Sequence, residues 1–79
     1  MTPEHLAKLE EVFRIVLDLP EAGDVANVRR VTTRRWDSLA HVSLIAAIES
    51  EFGLRLDTAG SERMTSFQAA KLLIDERLF

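Results

Sequence analysis

The stretch that decides the fold is residues 37–53, which read Asp-Ser-Leu-Ala-His-Val-Ser-Leu-Ile-Ala-Ala-Ile-Glu-Ser-Glu-Phe-Gly. Apolar residues recur at helical spacing here, so the stretch predicts an amphipathic helix from Ser38 to Phe52. Gly53 supplies the left-handed residue with which helices often end. The apolar residues expected on the inner face are Val42, Ile45, Ile48 and Phe52, widened by Leu39 and Leu44.

A first helix is predicted near the start of the chain. Thr2 is a suitable N-cap, and Pro3 fits the first helical position because the N–H that proline lacks would be unpaired there. The helix is expected to end near Asp18, because Pro20 disfavours helix in the residue before it. Its apolar stripe is Leu6, Leu9, Phe13, Val16 and Leu17.

The last helix is predicted to begin at residues 65–68, Thr-Ser-Phe-Gln, read as a capping box in which Thr65 is the N-cap and Gln68 reaches back. Residues 62–64 are expected to form one short helical turn. The apolar positions of the last helix are Phe67, Ala70, Leu73, Ile74 and Leu78.

Between the first two helices lies a long predicted loop, residues 19–37, and a loop of this length is usually functional. We expect some of its valines, Val25, Val28 and Val31, to enter the core. No segment alternates like a strand. The predicted fold is therefore all-α, a single domain over residues 1–79: a four-helix bundle with three main helices, a short third helix and a long first loop.

The composition excludes several classes of protein. With 79 residues, 47% hydrophobic and 29% charged, the chain is expected to fold rather than remain disordered. The net charge of −3 argues against a nucleic-acid partner, and no apolar run is long enough to span a membrane. The N-terminal residues do not resemble a signal peptide, so a cytoplasmic location is expected. The chain is also expected to be a monomer.

Catalysis by this chain alone is not predicted. There is no cysteine, and the histidines, His5 and His41, lack the spacing of a helical metal site. Asp37, Ser38 and His41 contain the residue types of a hydrolytic triad. However, three residues within one helical turn cannot supply both an orienting carboxylate and an oxyanion hole.

Four arginines, Arg29, Arg30, Arg34 and Arg35, fall within seven residues of the loop. They are either solvated residues whose positive charge balances an acidic surface, or a docking patch for an acidic protein or phosphate groups. Trp36 is either a half-buried ring that pins the loop to the bundle or a contact surface for a partner.

Residues 37–39, Asp-Ser-Leu, would by themselves be an ordinary helix cap. Followed by a helix that ends in Glu-x-Glu-Phe, in a chain this short, they resemble the acyl carrier protein family. The downstream stretch 62–70 resembles the third helix and the start of the fourth in that family. The resemblance implies a non-catalytic carrier whose Ser38 receives 4′-phosphopantetheine from coenzyme A through a phosphopantetheinyl transferase.

The same resemblance suggests which other residues matter. The arm would carry acyl groups as thioesters, supplied by a loading ligase or acyltransferase and used by downstream biosynthetic enzymes. Val42, Ile45, Ala46 and Met64 are either ordinary core or the lining of a cargo site between the second and third helices. The residues expected to recognise partners are Asp37, Leu39, His41, Val42, Glu49, Arg34, Arg35 and Trp36.

The sequence departs from the family pattern near the serine. Family members of fatty acid synthesis tend to be acidic just after the serine, where this chain has Ala40, His41 and Ser43. Arg34, Arg35 and Trp36 replace the usual small residues before it. These departures favour a specialised secondary-metabolite, lipid or surface-polysaccharide pathway. The alternatives are an aminoacyl or peptidyl carrier loaded by an ATP-dependent ligase, and a helical interaction module that is never modified.

Overall fold

The computed structural model describes residues 1–20 and 23–78, so residues 21 and 22 of the predicted loop lie outside the described part. Within that part no strand forms, and four α-helices pack as a small all-α bundle, which confirms the predicted fold class. The helices are α1 (Pro3–Leu17), α2 (Ser38–Phe52), α3 (Thr58–Arg63) and α4 (Phe67–Leu78), and two 3-10 turns, Val25–Asn27 and Arg30–Thr32, lie in the first loop between α1 and α2.

Helix α1 begins and ends where its sequence predicts. The Thr2 hydroxyl accepts a hydrogen bond from the His5 N–H at 3.2 Å, and Pro3 takes the first helical position. Asp18 ends the helix in the left-handed conformation, with φ of 52°. The predicted stripe faces the core, joined by one residue that the pattern missed, Val12. Local capping chemistry therefore determines this helix.

Helix α2 also has its predicted bounds, but its predicted inner face is only partly right, because Leu44 and Ile48 are buried and Ile45 and Phe52 are partly buried against the core. The buried residues are His41, Leu44 and Ile48, whereas Leu39 and Val42 are 77% and 65% exposed. The helix is rotated relative to the hydropathy pattern because the polar side chain of His41 finds hydrogen-bond partners inside the bundle. The second turn of α2 therefore presents apolar side chains to the surface.

Helix α3 is longer than the short turn predicted for residues 62–64. It begins at Thr58, because the Asp57 carboxylate accepts a hydrogen bond from the Gly60 N–H at 2.7 Å and caps the helix. Aspartate is a favoured N-cap for this reason. The helix ends at Arg63, and Met64 follows it into the core.

Helix α4 starts later than the predicted capping box implies. Its N-cap is Ser66, whose hydroxyl accepts from the Ala69 N–H at 3.0 Å, so the box formed by Thr65 and Gln68 is wrong. Gln68 instead donates from its side-chain amide to the Ala26 carbonyl at 3.1 Å. The side chain expected to cap α4 thus ties α4 to the first loop.

Two backbone hydrogen bonds also attach the first loop to the segment where α4 begins. The Arg30 N–H donates to the Thr65 carbonyl, and the Phe67 N–H donates to the Val28 carbonyl, both at 2.9 Å. Of the three loop valines, Val25 is buried, Val28 is partly buried and Val31 is exposed. The loop is therefore held on both sides of Ser66, the N-cap of α4, before it reaches α2.

Three aromatic side chains form a cluster in the core. The Phe13 ring meets the rings of Trp36 and Phe67 edge to face, with centroids 5.4 and 5.1 Å apart. Such pairs add to the stabilisation from burial alone. The aromatic cluster thus joins α1, the end of the first loop and α4. No helix in the described residues is long and apolar enough to cross a bilayer.

Candidate functional site

Ser38 is the first residue of α2 and is exposed. The Asp37 carboxylate before it accepts a hydrogen bond from the Ala40 N–H at 2.8 Å, which caps the helix. The first N–H groups of a helix lack partners within the helix and, with the helix dipole, favour a negative charge. The Ser38 hydroxyl is therefore accessible at a position suited to an attached phosphate.

A hydrogen-bonded chain, the Trp36–His41–Ser61 chain, includes residues that precede and follow Ser38 in the sequence. The Trp36 indole N–H donates to Nδ1 of His41 at 2.9 Å, and Nε2 of His41 lies 2.9 Å from the Ser61 carbonyl oxygen. Because Nδ1 accepts, the ring proton of the neutral imidazole is on Nε2, which donates to Ser61. The chain therefore links the residues on both sides of Ser38 to the last turn of α3.

The burial of Trp36 and His41 limits the roles that these two residues can have. Trp36 is only 2% exposed, so it pins the loop, as one interpretation expected, but it is buried rather than half-buried. Its ring does not offer a contact surface to a partner, and His41 is also buried. One signal could have placed His41 inside: it precedes Leu44 and Ile48 by three and seven residues, the spacing of one helical stripe.

Two of the four arginines, Arg34 and Arg35, lie on a turn that precedes Ser38. The Trp36 N–H donates to the Thr33 carbonyl at 3.0 Å, which places Arg34 and Arg35 at the tip of the turn, both exposed. Arg35 pairs with Asp18 at 3.0 Å, an exposed ion pair of small energetic value. No ion pair among the described residues includes Arg34. Arg34 therefore presents its charge to solvent four residues before Ser38.

A shallow depression of about 220 Å³ lies between α2 and α3. Ser38, Val42 and Ala46 are four residues apart, so they lie on one face of α2 and the depression begins one turn beyond Ser38. Of the predicted cargo-lining residues, Met64 is fully buried in the core and does not line it. The lining residues are His41, Val42, Ile45, Ala46, Glu49 and Ser61.

Glu49 is one of the residues that line this depression. Its carboxylate accepts a hydrogen bond from the Leu56 N–H at 2.9 Å, so the side chain is held in place by the connection to α3. Glu49 follows Ser38 by eleven residues, which corresponds to about 16 Å along a helix axis. The lining of the depression therefore includes a carboxylate that is held in place about three helical turns beyond Ser38.

Three curated proteins are similar to the chain over almost its whole length. Acyl carrier protein 2 of the Arabidopsis thaliana chloroplast is 30% identical over 98% of this chain. The chloroplastic acyl carrier proteins 4 and 1 of Cuphea lanceolata are each 27% identical over 94% of it. The chain spans 57%, 53% and 53% of these relatives' own lengths, a little over half of each.

Neither a protein-family model nor a solved structure gives a significant match. All three curated relatives are nevertheless named as acyl carrier proteins. These similarities, together with the fold, support the assignment of the chain to the acyl carrier protein family.

Proposed function

We propose that this chain is a non-catalytic carrier that holds acyl groups as thioesters on a 4′-phosphopantetheine arm attached to Ser38. The observation that carries the proposal is the position of Ser38, exposed at the first residue of α2 in a chain similar to acyl carrier proteins. The chain has no cysteine, so the thiol that binds the acyl group would arrive with the arm.

In the attachment step a phosphopantetheinyl transferase acts on coenzyme A. The Ser38 oxygen forms a bond to the phosphorus of the pantetheine phosphate, the bond to the nucleotide part breaks, and the serine proton leaves. The residues of this chain present the hydroxyl and accommodate the resulting phosphodiester. Its negative charge would lie at the N-terminus of α2, a position worth about 0.3–1 kcal/mol.

The depression between α2 and α3 is the proposed resting place for an apolar cargo. Val42, Ile45 and Ala46 supply its apolar wall, on the helix that carries Ser38. Replacing Ala46 with tryptophan would fill it, and we expect an attached acyl chain to become more exposed to hydrolysis. Unchanged protection of the thioester would contradict this part of the proposal.

The departures around Ser38 support the proposed pathway and partners. The neutral residues after it and the arginines before it favour a specialised cytoplasmic pathway for a secondary metabolite, a lipid or a surface polysaccharide. Within it, a loading ligase or acyltransferase and downstream enzymes would recognise the residues near Ser38, chiefly Asp37, Leu39 and Arg34. An aminoacyl or peptidyl cargo remains the alternative, because the loading enzyme sets the cargo.

The test is intact-mass measurement after incubation with coenzyme A and a broad-specificity phosphopantetheinyl transferase. We expect the wild type to gain one pantetheine phosphate, Ser38→Ala to gain none, and Ser43→Ala to behave as the wild type. Ser43 is a matched control because it is another exposed serine of α2. A folded wild type that gains no mass would reduce residues 37–39 to a helix cap and favour the unmodified interaction module.

A further inference from the structure

The lining of the depression between α2 and α3 includes an imidazole ring that is held in one position. Nδ1 of His41 accepts from the Trp36 indole N–H, and Nε2 donates to the Ser61 carbonyl, both at 2.9 Å. The Trp36 and His41 rings also stack, with centroids 6.0 Å apart. If the imidazole turned away, the buried indole N–H would lose its acceptor, which costs free energy. His41 is therefore a fixed part of the lining.

His41 is also the residue through which the depression adjoins the aromatic cluster. It is buried and hydrogen-bonded to Trp36, and Trp36 is not among the described residues that line the depression. The Trp36 ring in turn meets the Phe13 ring edge to face. Removing the imidazole would therefore extend the depression towards these buried rings.

Two hydrogen bonds tie the lining residues of α2 to the segment that contains α3. One joins His41 to the Ser61 carbonyl, and the other joins the Glu49 carboxylate to the Leu56 N–H at 2.9 Å. Three of these four residues line the depression. Parting the two segments at these points would break a hydrogen bond and leave groups that are at least partly buried without a partner. The ties therefore oppose any deepening of the depression.

The depression is small relative to a long acyl chain. Its volume is about 220 Å³. A water molecule takes up about 30 Å³ of the liquid, and a methylene group is of similar size, so the depression holds about seven carbon atoms. This corresponds to the part of an octanoyl group that lies beyond its carbonyl carbon.

We propose that His41 restricts the cargo that this carrier can shield from water to short acyl chains, up to about the octanoyl group. This inference rests on the proposed function, because only an arm on Ser38 would bring an acyl group to the depression. The first carbons would pack against Val42, Ile45 and Ala46. A longer chain would meet the fixed imidazole, and its remaining carbons would stay in water. His41 would thus determine specificity by its shape, without contact with the reacting thioester.

The experiment measures how well the carrier protects acyl groups of increasing length. A broad-specificity phosphopantetheinyl transferase loads Ser38 directly from butanoyl-, hexanoyl-, octanoyl-, decanoyl- and dodecanoyl-coenzyme A. Intact-mass measurement then follows the rate at which hydroxylamine removes each acyl group from the arm. The protection factor is the rate for the same acyl group on free coenzyme A divided by the rate on the carrier.

Three variants are compared with the wild type. His41→Ala removes the ring, whereas His41→Phe keeps a ring at this position and loses both hydrogen bonds. The two variants therefore separate the shape of the side chain from the ties that it makes. Val12→Ala is the control for loosened packing, because Val12 is buried and lines a different depression, beside α1.

In the wild type, we expect the protection factor to rise from butanoyl to octanoyl, by up to about fourfold for each methylene group that leaves water, and then to stay level. In His41→Ala it should continue to rise through decanoyl and dodecanoyl, and should exceed the wild-type value by about fourfold or more for dodecanoyl. His41→Phe and Val12→Ala should level off at octanoyl, as the wild type does.

Two results would overturn the inference while leaving the attachment of the arm to Ser38 intact. One is a wild-type protection factor that keeps rising beyond octanoyl or that does not depend on chain length, a result that requires no variant to fold. The other is the same chain-length profile for His41→Ala and His41→Phe, which would exclude the shape of the side chain as the cause. Failure of the folded wild type to accept any of the acyl-phosphopantetheine groups would instead overturn the proposed function itself.

Discussion

Replacing His41 with phenylalanine tests the energetic role of the Trp36–His41–Ser61 chain. The substitution keeps a flat ring at a buried position and removes both ring nitrogens. The Trp36 indole N–H, which donates to Nδ1 at 2.9 Å, would then be buried without an acceptor. The Ser61 carbonyl would retain one partner, because it also accepts from the Met64 N–H at 3.2 Å. The main penalty therefore falls on Trp36.

The magnitude follows from these two losses. An unsatisfied buried donor costs about 1–3 kcal/mol, and loss of the bond to Ser61 costs a further ~0.5–1.5 kcal/mol. The larger apolar ring offsets part of this, so His41→Phe should lower the free energy of unfolding by roughly 2–3 kcal/mol. A domain of this size has a total stability on the order of 5–10 kcal/mol, so the variant would lose a large fraction of it.

The assay is urea unfolding followed by far-ultraviolet circular dichroism, with Ser61→Ala as the control. The control removes only the hydroxyl, 3.4 Å from Nε2, and leaves the carbonyl in place. Its stability should stay within about 0.5 kcal/mol of the wild type. The double variant His41→Phe with Trp36→Phe should be more stable than the sum of the single effects predicts, because the orphaned donor is gone. Strict additivity, or a His41→Phe effect below about 0.5 kcal/mol, would refute the reasoning.

Three further predictions concern the two ends of α2 and the turn before it, and they use the same unfolding assay. Asp37→Ala removes the hydrogen bond to the Ala40 N–H and should destabilise the chain by about 1 kcal/mol, whereas Asp37→Asn should recover most of this loss. Gly53→Ala should also cost about 1 kcal/mol, because Gly53 has φ of 63° and, with nothing within 4 Å of an added Cβ, the cost is conformational. Arg35→Gln should cost under about 0.5 kcal/mol, and that effect should vanish at high salt, because the ion pair with Asp18 is exposed.

The bounds of α1 and α2 could be predicted because local chemistry sets them. Thr2 and Pro3 begin α1, Asp37 caps α2, and Gly53 ends α2 in the left-handed conformation. None of these signals needs a partner from elsewhere in the chain. The position of Ser38 at the head of α2 follows from the same local information, so that part of the site was accessible from the sequence.

One part of the inner face of α2, the burial of His41 in place of Val42, could not be predicted from hydropathy, because a distant contact decides it. His41 is buried through a hydrogen bond to Ser61, twenty residues further along the chain. A hydropathy pattern ranks Val42 above His41 and so places the wrong one inside. The N-cap of α4 could not be predicted for a similar reason. Thr65 and Ser66 are both good N-caps by sequence, and in the structure Ser66 is the cap while the Phe67 N–H pairs with the distant Val28 carbonyl.

Trp36 has a consequence for how this protein can be studied. It is the only tryptophan, and the chain has no tyrosine, so tryptophan-like fluorescence comes from one buried indole two residues before Ser38. That indole is hydrogen-bonded to His41, which also lines the depression between α2 and α3. The intensity and wavelength of its emission therefore form a built-in optical probe. It needs no added label to report events at the serine and in the depression.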